Sequence, residues 1–232
     1  MIIQNIPVEV ERKFIRTMRL SVRADGRVHL SVPFFVTAAH AEAFVRSKWE
    51  WVCRTRERVL SRPKEEPYQY ISGEEHWLFG ARYTLVVEHV TSGTHSVSVE
   101  GNELHMRCRP STSRDSRRAL LHAFYRAQLI PVLTQMVNDW TMQLNEADVT
   151  WAVRLMRSEW GSCRARKRHL MFNLALACVP ENCIEYIVVH ELTHLKVQNH
   201  GAAFKSLMTQ RLSDWKSTRK QLNSYFLKKI FA

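Results

Sequence analysis

The chain has no C-x-x-C pair, no long apolar run, no glycine-rich phosphate loop and no visible internal repeat. Its five cysteines, Cys53, Cys108, Cys163, Cys178 and Cys183, are odd in number. A disulfide framework or a cysteine zinc site is therefore not expected, and a reducing cytoplasm fits best. No apolar segment approaches the roughly 20 residues that span a bilayer, so no membrane partner is expected. The N-terminal MIIQNIPVEVERKF places Pro7 and acids where a secretory signal would run apolar, and no leader is expected. Without a phosphate-cradling glycine loop, P-loop and dinucleotide-binding chemistry drop out. Acids are also short: 22 Asp and Glu stand against 34 Lys and Arg, a formal net charge of +12. After Glu191 there is no further Glu, and Asp214 is the only acid downstream.

What remains is an ordinary globular composition, 45% hydrophobic and 24% charged over 232 residues, enough for one large domain or two small ones. Val8 to Val32 alternates apolar and polar residues around Asp25-Gly26, a hairpin signal. Thr37 to Leu60 reads as one helix with Thr37 as N-cap. The polar, proline-punctuated Ser61–Tyr70 segment reads as a linker. Short strands about Gly80, Gly93 and Gly101 are expected to extend the N-terminal sheet as antiparallel hairpins. A long helix follows from near Ser113 to Glu146, with Pro131 expected to kink or divide it. Val149–Cys163 and His169–Pro180 read as two strands flanking a basic loop. Pro180 suits the first turn of the next helix. Ala202–Met208 and Asp214–Leu227 read as two more helices, with Phe204 and Trp215 as covers for a site. The fold class is α+β: a β-rich region with a helix over residues 1–110, then a helical domain with a small sheet over 111–232.

The chemistry concentrates in IEYIVVHELTHLKVQNH, residues 184–200, which holds H-E-x-x-H at His190–His194. At about 100° per residue, His190 and His194 lie about 40° apart and one turn along a helix, so both can grip one metal ion. Glu191 lies beside that ion, where a carboxylate can take a proton from water. Ile184, Val188, Leu192 and Leu195 supply the core flank. For a third ligand His200 ranks above Asp214. A continuous helix would carry His200 about 15 Å too far, so the chain must turn after Leu195, with Asn199 or Gly201 as the left-handed residue. One Zn²⁺ per chain is expected, other divalent transition metals being possible.

Just upstream, Arg154, Arg157, Arg164, Arg166, Lys167 and Arg168 crowd together. Such a concentration attracts anions, and Arg164, Arg166, Lys167 and Arg168 are the polyanion-binding candidates. Arg157, His169 and Asn173 are the candidates for substrate binding and for an oxyanion donor. Three motifs taken in order, WGSC at 160–163, FNLAL at 172–176 and HELTHLKVQNH at 190–200 followed by Phe204, resemble the YgjP-like metallopeptidase family, related to the WLM and SprT-type zincins. The resemblance extends to the Asp25-Gly26 hairpin, the Ala41–Val52 helix and the Leu78–Val86 strand, nearly the whole chain. It implies a zincin-like fold, zinc ligands His190, His194 and His200, and Glu191 as catalytic base. One departure is Glu159 immediately before WGSC, where the family commonly has Arg. A substrate contact made there would have to move to Arg157 or be lost.

Three functions are ranked. The first is a zinc-dependent peptidase acting on a peptide or protein, with the strand about Phe172–Leu176 pairing with substrate. The second is a metal-dependent nucleoside triphosphate pyrophosphohydrolase, such as a UTP pyrophosphatase, an activity also associated with the family. Three imidazoles suit it less than carboxylates would. The third is a nucleic-acid-binding module with a structural metal, although such ions usually have four protein ligands.

Overall fold

The computed structural model describes residues 1–23, 25–61 and 67–225, so part of the Ser61–Tyr70 linker and the last residues of the expected Asp214–Leu227 helix lie outside the described residues. The architecture is α+β, and the chain divides into two compact units, Met1–Glu65 and Glu66–Ala232.

The first unit carries strands β1 (Ile2–Ile3), β2 (Ile6–Lys13), β3 (Arg19–Val22) and β4 (Val28–Pro33) in the order β1-β2-β4-β3. β3 and β4 form the expected hairpin. Gly26 takes φ +80°, and the Asp25 carboxylate accepts the Arg27 amide at 3.0 Å, a turn chemistry suited to Asp-Gly. β2 instead joins β4 in parallel. The helix expected over Thr37–Leu60 is broken at Lys48 into α1 (Ala38–Ser47) and α2 (Trp49–Leu60). Thr37 caps α1 by accepting the His40 amide at 3.3 Å. Ile3, Val8, Val28, Leu30, Val45 and Val52 close this unit's core.

The second unit opens with β5 (Glu75–Leu78), β6 (Ala81–His89), β7 (Ser96–Glu100) and β8 (Glu103–Cys108), in the order β5-β6-β8-β7. These strands do not extend the first sheet; they form their own. Its pairings, antiparallel, parallel, antiparallel, reproduce those of β1-β2-β4-β3, so a repeat invisible in the sequence exists in the topology. The central β6–β8 pair is parallel because the chain crosses over between hairpins, which local turn signals do not reveal. Since these strands share a core with the helices downstream of them, the boundary expected after residue 110 moves to the earlier linker.

Helix α3 (Arg114–Gln143) is capped by Ser113, which accepts the Ser116 amide at 3.2 Å, and it runs through Pro131 as one helix. It buries Leu121, Phe124, Tyr125, Leu129, Leu133 and Val137, whereas Ile130 is exposed. A three-stranded sheet comes next, β9 (Thr150–Arg154), β10 (Gly161–Arg164) and β11 (His169–Asn173), in the order β10-β11-β9. Leu170 and Phe172 are fully buried with Leu174, Leu176 and the inner face of α4 (Glu181–Thr193). Helices α5 (Ala202–Arg211) and α6 (Trp215–Ser224) complete the unit. The β5–β6 turn buttresses the start of α4. Phe79 donates its amide to the Ala177 carbonyl at 2.8 Å, and a Cβ on Gly80 would meet the Pro180 ring at 2.5 Å.

Candidate active site

Helix α4 is set by its apolar majority. Ile184, Val188, Val189 and Leu192 are fully buried, which turns His190 and His194 to one side. Thr193 pins the helix end: its hydroxyl donates to the Val189 carbonyl at 2.6 Å and accepts from Arg211 at 2.7 Å. The helix stops there, and a turn closed by the Val197 amide on the Thr193 carbonyl, 3.0 Å, brings His200 back. Neither Asn199 nor Gly201 has positive φ, so the left-handed residue expected at this turn is absent. The His194 ring does the capping instead, donating Nδ1–H to the Val197 carbonyl at 3.0 Å. Since a carbonyl only accepts, that bond fixes the tautomer and leaves the Nε2 lone pair facing inward.

The Nε2 atoms of His190, His194 and His200 form a triangle with edges of 3.2, 3.2 and 3.0 Å. Burial, then the neighbouring His194 and His200, holds His190 down at about 3, and burial also lowers His194. Both are therefore neutral, the form that binds a metal. Lone pairs converging this closely repel unless a cation lies among them. The donor set of three neutral imidazoles fits Zn²⁺ or a neighbouring transition metal. Phe204 forms an apolar floor, its ring centroid 4.9, 4.7 and 4.7 Å from those of His190, His194 and His200. Trp215 is buried too, but its indole donates to the Thr209 hydroxyl on α5. Asp214 is the N-cap residue of α6 and accepts from the Thr218 hydroxyl, apart from the imidazole triangle.

Glu191 is 4% exposed and points across the cleft at β10. A Cβ on Gly161 would stand 2.7 Å from its Oε1, so only glycine leaves room for the carboxylate there. Burial, reinforced by the Glu159 carboxylate, pushes Glu191 up to about 8. The imidazoles and Glu191 open onto a cleft of about 800 Å³ whose other wall is Gly161–Lys167, with Glu159 and Gln198 at its margins. Sequence reasoning does not single out Gly161 or Gln198; the glycine within WGSC is the available signal.

The remaining candidates separate. Asn173 is fully buried and structural. Its Nδ2 donates to the Met156 and Glu159 carbonyls at 2.9 and 2.6 Å, while its Oδ1 accepts the Ala175 amide at 3.1 Å. It shapes the loop into β10. Arg157 and His169 line a different hollow of about 370 Å³, and His169 shares a hydrogen bond with the Thr150 hydroxyl. Of the basic run, Arg164, Arg166 and Lys167 line the cleft. Arg168 does not: in a left-handed conformation, it binds Glu146 Oε2 at 2.7 Å and the Ala147 carbonyl at 2.8 Å. The β11 strand, expected to pair with substrate, is bonded on both sides by β10 and β9; of the two edge strands, β10 is the one that walls the cleft.

A match to the family described as YgjP-like, metallopeptidase domain, covers residues 16–225. The chain belongs to that family. Similar solved structures are the metallopeptidase zymogens jannalysin of Methanocaldococcus jannaschii and abylysin of Pyrococcus abyssi. The first is 20% identical over 40% of this chain and 94% of its own, with a TM-score of 0.36. The second is 16% identical over 40% and 92%, with a TM-score of 0.37. No curated protein matches. As a YgjP-like protein the chain is a metal-dependent hydrolase of the metallopeptidase kind. All five cysteines are free, and among the described residues no helix is long and apolar enough to cross a membrane.

Proposed function

We propose that this YgjP-like protein is a zinc-dependent peptidase with His190, His194 and His200 as metal ligands and Glu191 as general base. The observation that carries the reading is the Nε2 triangle with a buried carboxylate beside it that is not one of its members. Zn²⁺ bound there would supply Lewis acidity, lower the pKa of water and favour the ionised form of Glu191. Glu191 then accepts a proton from the attacking water and returns it to the leaving amine. Its carboxylate is held in position by the helix behind it and the Gly161 backbone in front. An extended peptide adds to the free edge of β10 by main-chain hydrogen bonds, which places its backbone along the cleft wall. The absence of a carboxylate from the ligand set weighs against a magnesium-type phosphate site. A position open to substrate weighs against a purely structural ion.

Two substitutions test this. Glu191→Gln keeps the shape but loses the base, so peptide hydrolysis should fall by roughly 10²–10⁴-fold while zinc affinity stays nearly intact. His200→Ala should lose zinc affinity as measured by competition with a chelator, and Asp214→Ala should not. Unchanged turnover in the first variant, or unchanged affinity in the second, would sink the assignment.

A further inference from the structure

The edge strand that walls the cleft is electrically lopsided. At its start stands Glu159, two residues before Gly161; at its end stand Arg164 and, in the 3-10 turn Ala165–Lys167 next to it, Arg166 and Lys167. This turn is built rather than loose. Arg168 closes it, donating its amide to the Ala165 carbonyl at 3.1 Å, while its guanidinium is tied to Glu146. The Glu146 carboxylate, whose side chain is 8% exposed, also faces Lys196 at 3.4 Å. One basic residue of the run is thus neutralised to hold the turn. The three that reach the cleft have no acidic partner among the described residues.

Position along the strand converts this polarity into a rule about substrate. Glu191 meets β10 at Gly161, so the reacting bond belongs near that end. At about 3.3 Å per residue, Arg164 lies roughly 10 Å further along, about three substrate residues away. Antiparallel pairing is the more stable way to add a strand to an edge. A peptide so paired runs from the Lys167 end towards the Glu159 end, and the residues preceding its scissile bond pass the basic turn. Resting on the peptidase reading above, we infer that the Arg164, Arg166 and Lys167 rim selects peptides with an acidic side chain about three to four residues before the cut. Acids just after the cut meet Glu159 and are disfavoured.

The test has a cleavage arm and a binding arm. In the first, a mixture of proteome-derived peptides is digested by the zinc-loaded protein and the new termini are sequenced. Asp and Glu should be enriched three to four positions before the cut. Placing Glu there in a single fluorogenic peptide should raise kcat/KM roughly 5–10-fold over Gln, as expected for a few partly exposed charge pairs. The triple variant Arg164→Gln/Arg166→Gln/Lys167→Gln, with folding checked by its thermal melt, should erase that advantage and still cut the neutral peptide. In the second arm, fluorescence anisotropy compares an acidic decapeptide with its Gln counterpart on Glu191→Gln protein at low and raised salt. The acidic form should bind tighter, with a salt dependence lost in the triple variant.

Cleavage without acid enrichment, or enrichment after the cut, overturns the inference and leaves the peptidase standing. Acid-dependent binding without any cleavage does the reverse: the rim stands as an acidic-peptide site and the peptidase reading falls. Equal binding of both decapeptides overturns the inference even if nothing is cut. So does UTP displacing the acidic decapeptide with the same dependence on the three charges, which assigns the rim to phosphates.

Discussion

The turn at Gln4–Asn5 in the first sheet and the turn at Phe79–Gly80 in the second occupy the same place in the same topology. Both hold two consecutive residues at positive φ, 46° and 64° in one, 47° and 83° in the other, the pairing that two-residue hairpins favour. Their surroundings differ. Gln4 and Asn5 are exposed, and the first sheet's core is completed within its own unit by α1 and α2. Phe79 and Gly80 are half-buried against Ala177 and Pro180, where α4 begins. One arrangement of four strands therefore supports itself in the first unit and serves as a footing for α4, the helix of His190 and Glu191, in the second. Topology does not assign the role; the contact at one turn does.

The largest effects should come from the two cores. Leu30 in the first sheet and Leu104 in the second are both fully buried, so Leu30→Ala and Leu104→Ala should each cost about 2–5 kcal/mol. Chemical unfolding should register both, but zinc affinity should fall only for Leu104→Ala, because the three imidazoles share a unit with that core. Equal loss of zinc affinity in both variants would erase the distinction between a self-sufficient sheet and a supporting one.

A smaller effect separates two glycines. In Gly161→Ala the added Cβ would press on the Glu191 carboxylate at 2.7 Å, displacing the base. A misplacement of about 1 Å, enough to relieve that contact, costs about 10²-fold in turnover. In Gly26→Ala the Cβ meets the flexible end of Leu60 at 2.8 Å and the φ of +80° strains the turn. That variant should lose about 1 kcal/mol of stability with turnover intact. Steady-state kinetics beside thermal melts distinguishes the pair. A Gly161→Ala protein with normal turnover would show that Glu191 does not depend on this approach.

Legibility in the sequence tracks the range of the interactions. The H-E-x-x-H face, the Thr37 cap and the Asp25-Gly26 turn involve residues a few positions apart, and spacing alone exposes them. His200 is legible because a straight helix would carry it away. The mechanism of its return is not, since it depends on an imidazole replacing a left-handed residue. The loop bonds of Asn173 are not legible, because a polar residue ending a strand looks the same whether it faces a cleft or satisfies loop carbonyls. Arg168 is indistinguishable from Arg164, Arg166 and Lys167 until the fold brings Glu146, 22 positions away, beside it. The parallel pairings β2–β4 and β6–β8 join segments that no turn connects, which hides the shared topology.

The finest test exchanges residues between the two turns. Asn tolerates positive φ better than most residues, and Asn5 at φ 64° shows that this topology accepts it. If backbone conformation alone governed the second turn, Gly80→Asn would be nearly silent. The Pro180 ring stands 2.5 Å from where its Cβ would go, with the Pro180 nitrogen at 3.1 Å, and a proline ring cannot rotate aside. Gly80→Asn should therefore cost about 1–3 kcal/mol as an overpacked contact. Because the strain falls on the first turn of α4, it should also weaken zinc binding modestly. The reciprocal Asn5→Gly should stay within about 0.5 kcal/mol, since its side chain is exposed. Denaturant midpoints for the two variants, with chelator competition on each, read both effects. A silent Gly80→Asn would mean that the second sheet touches α4 without supporting it.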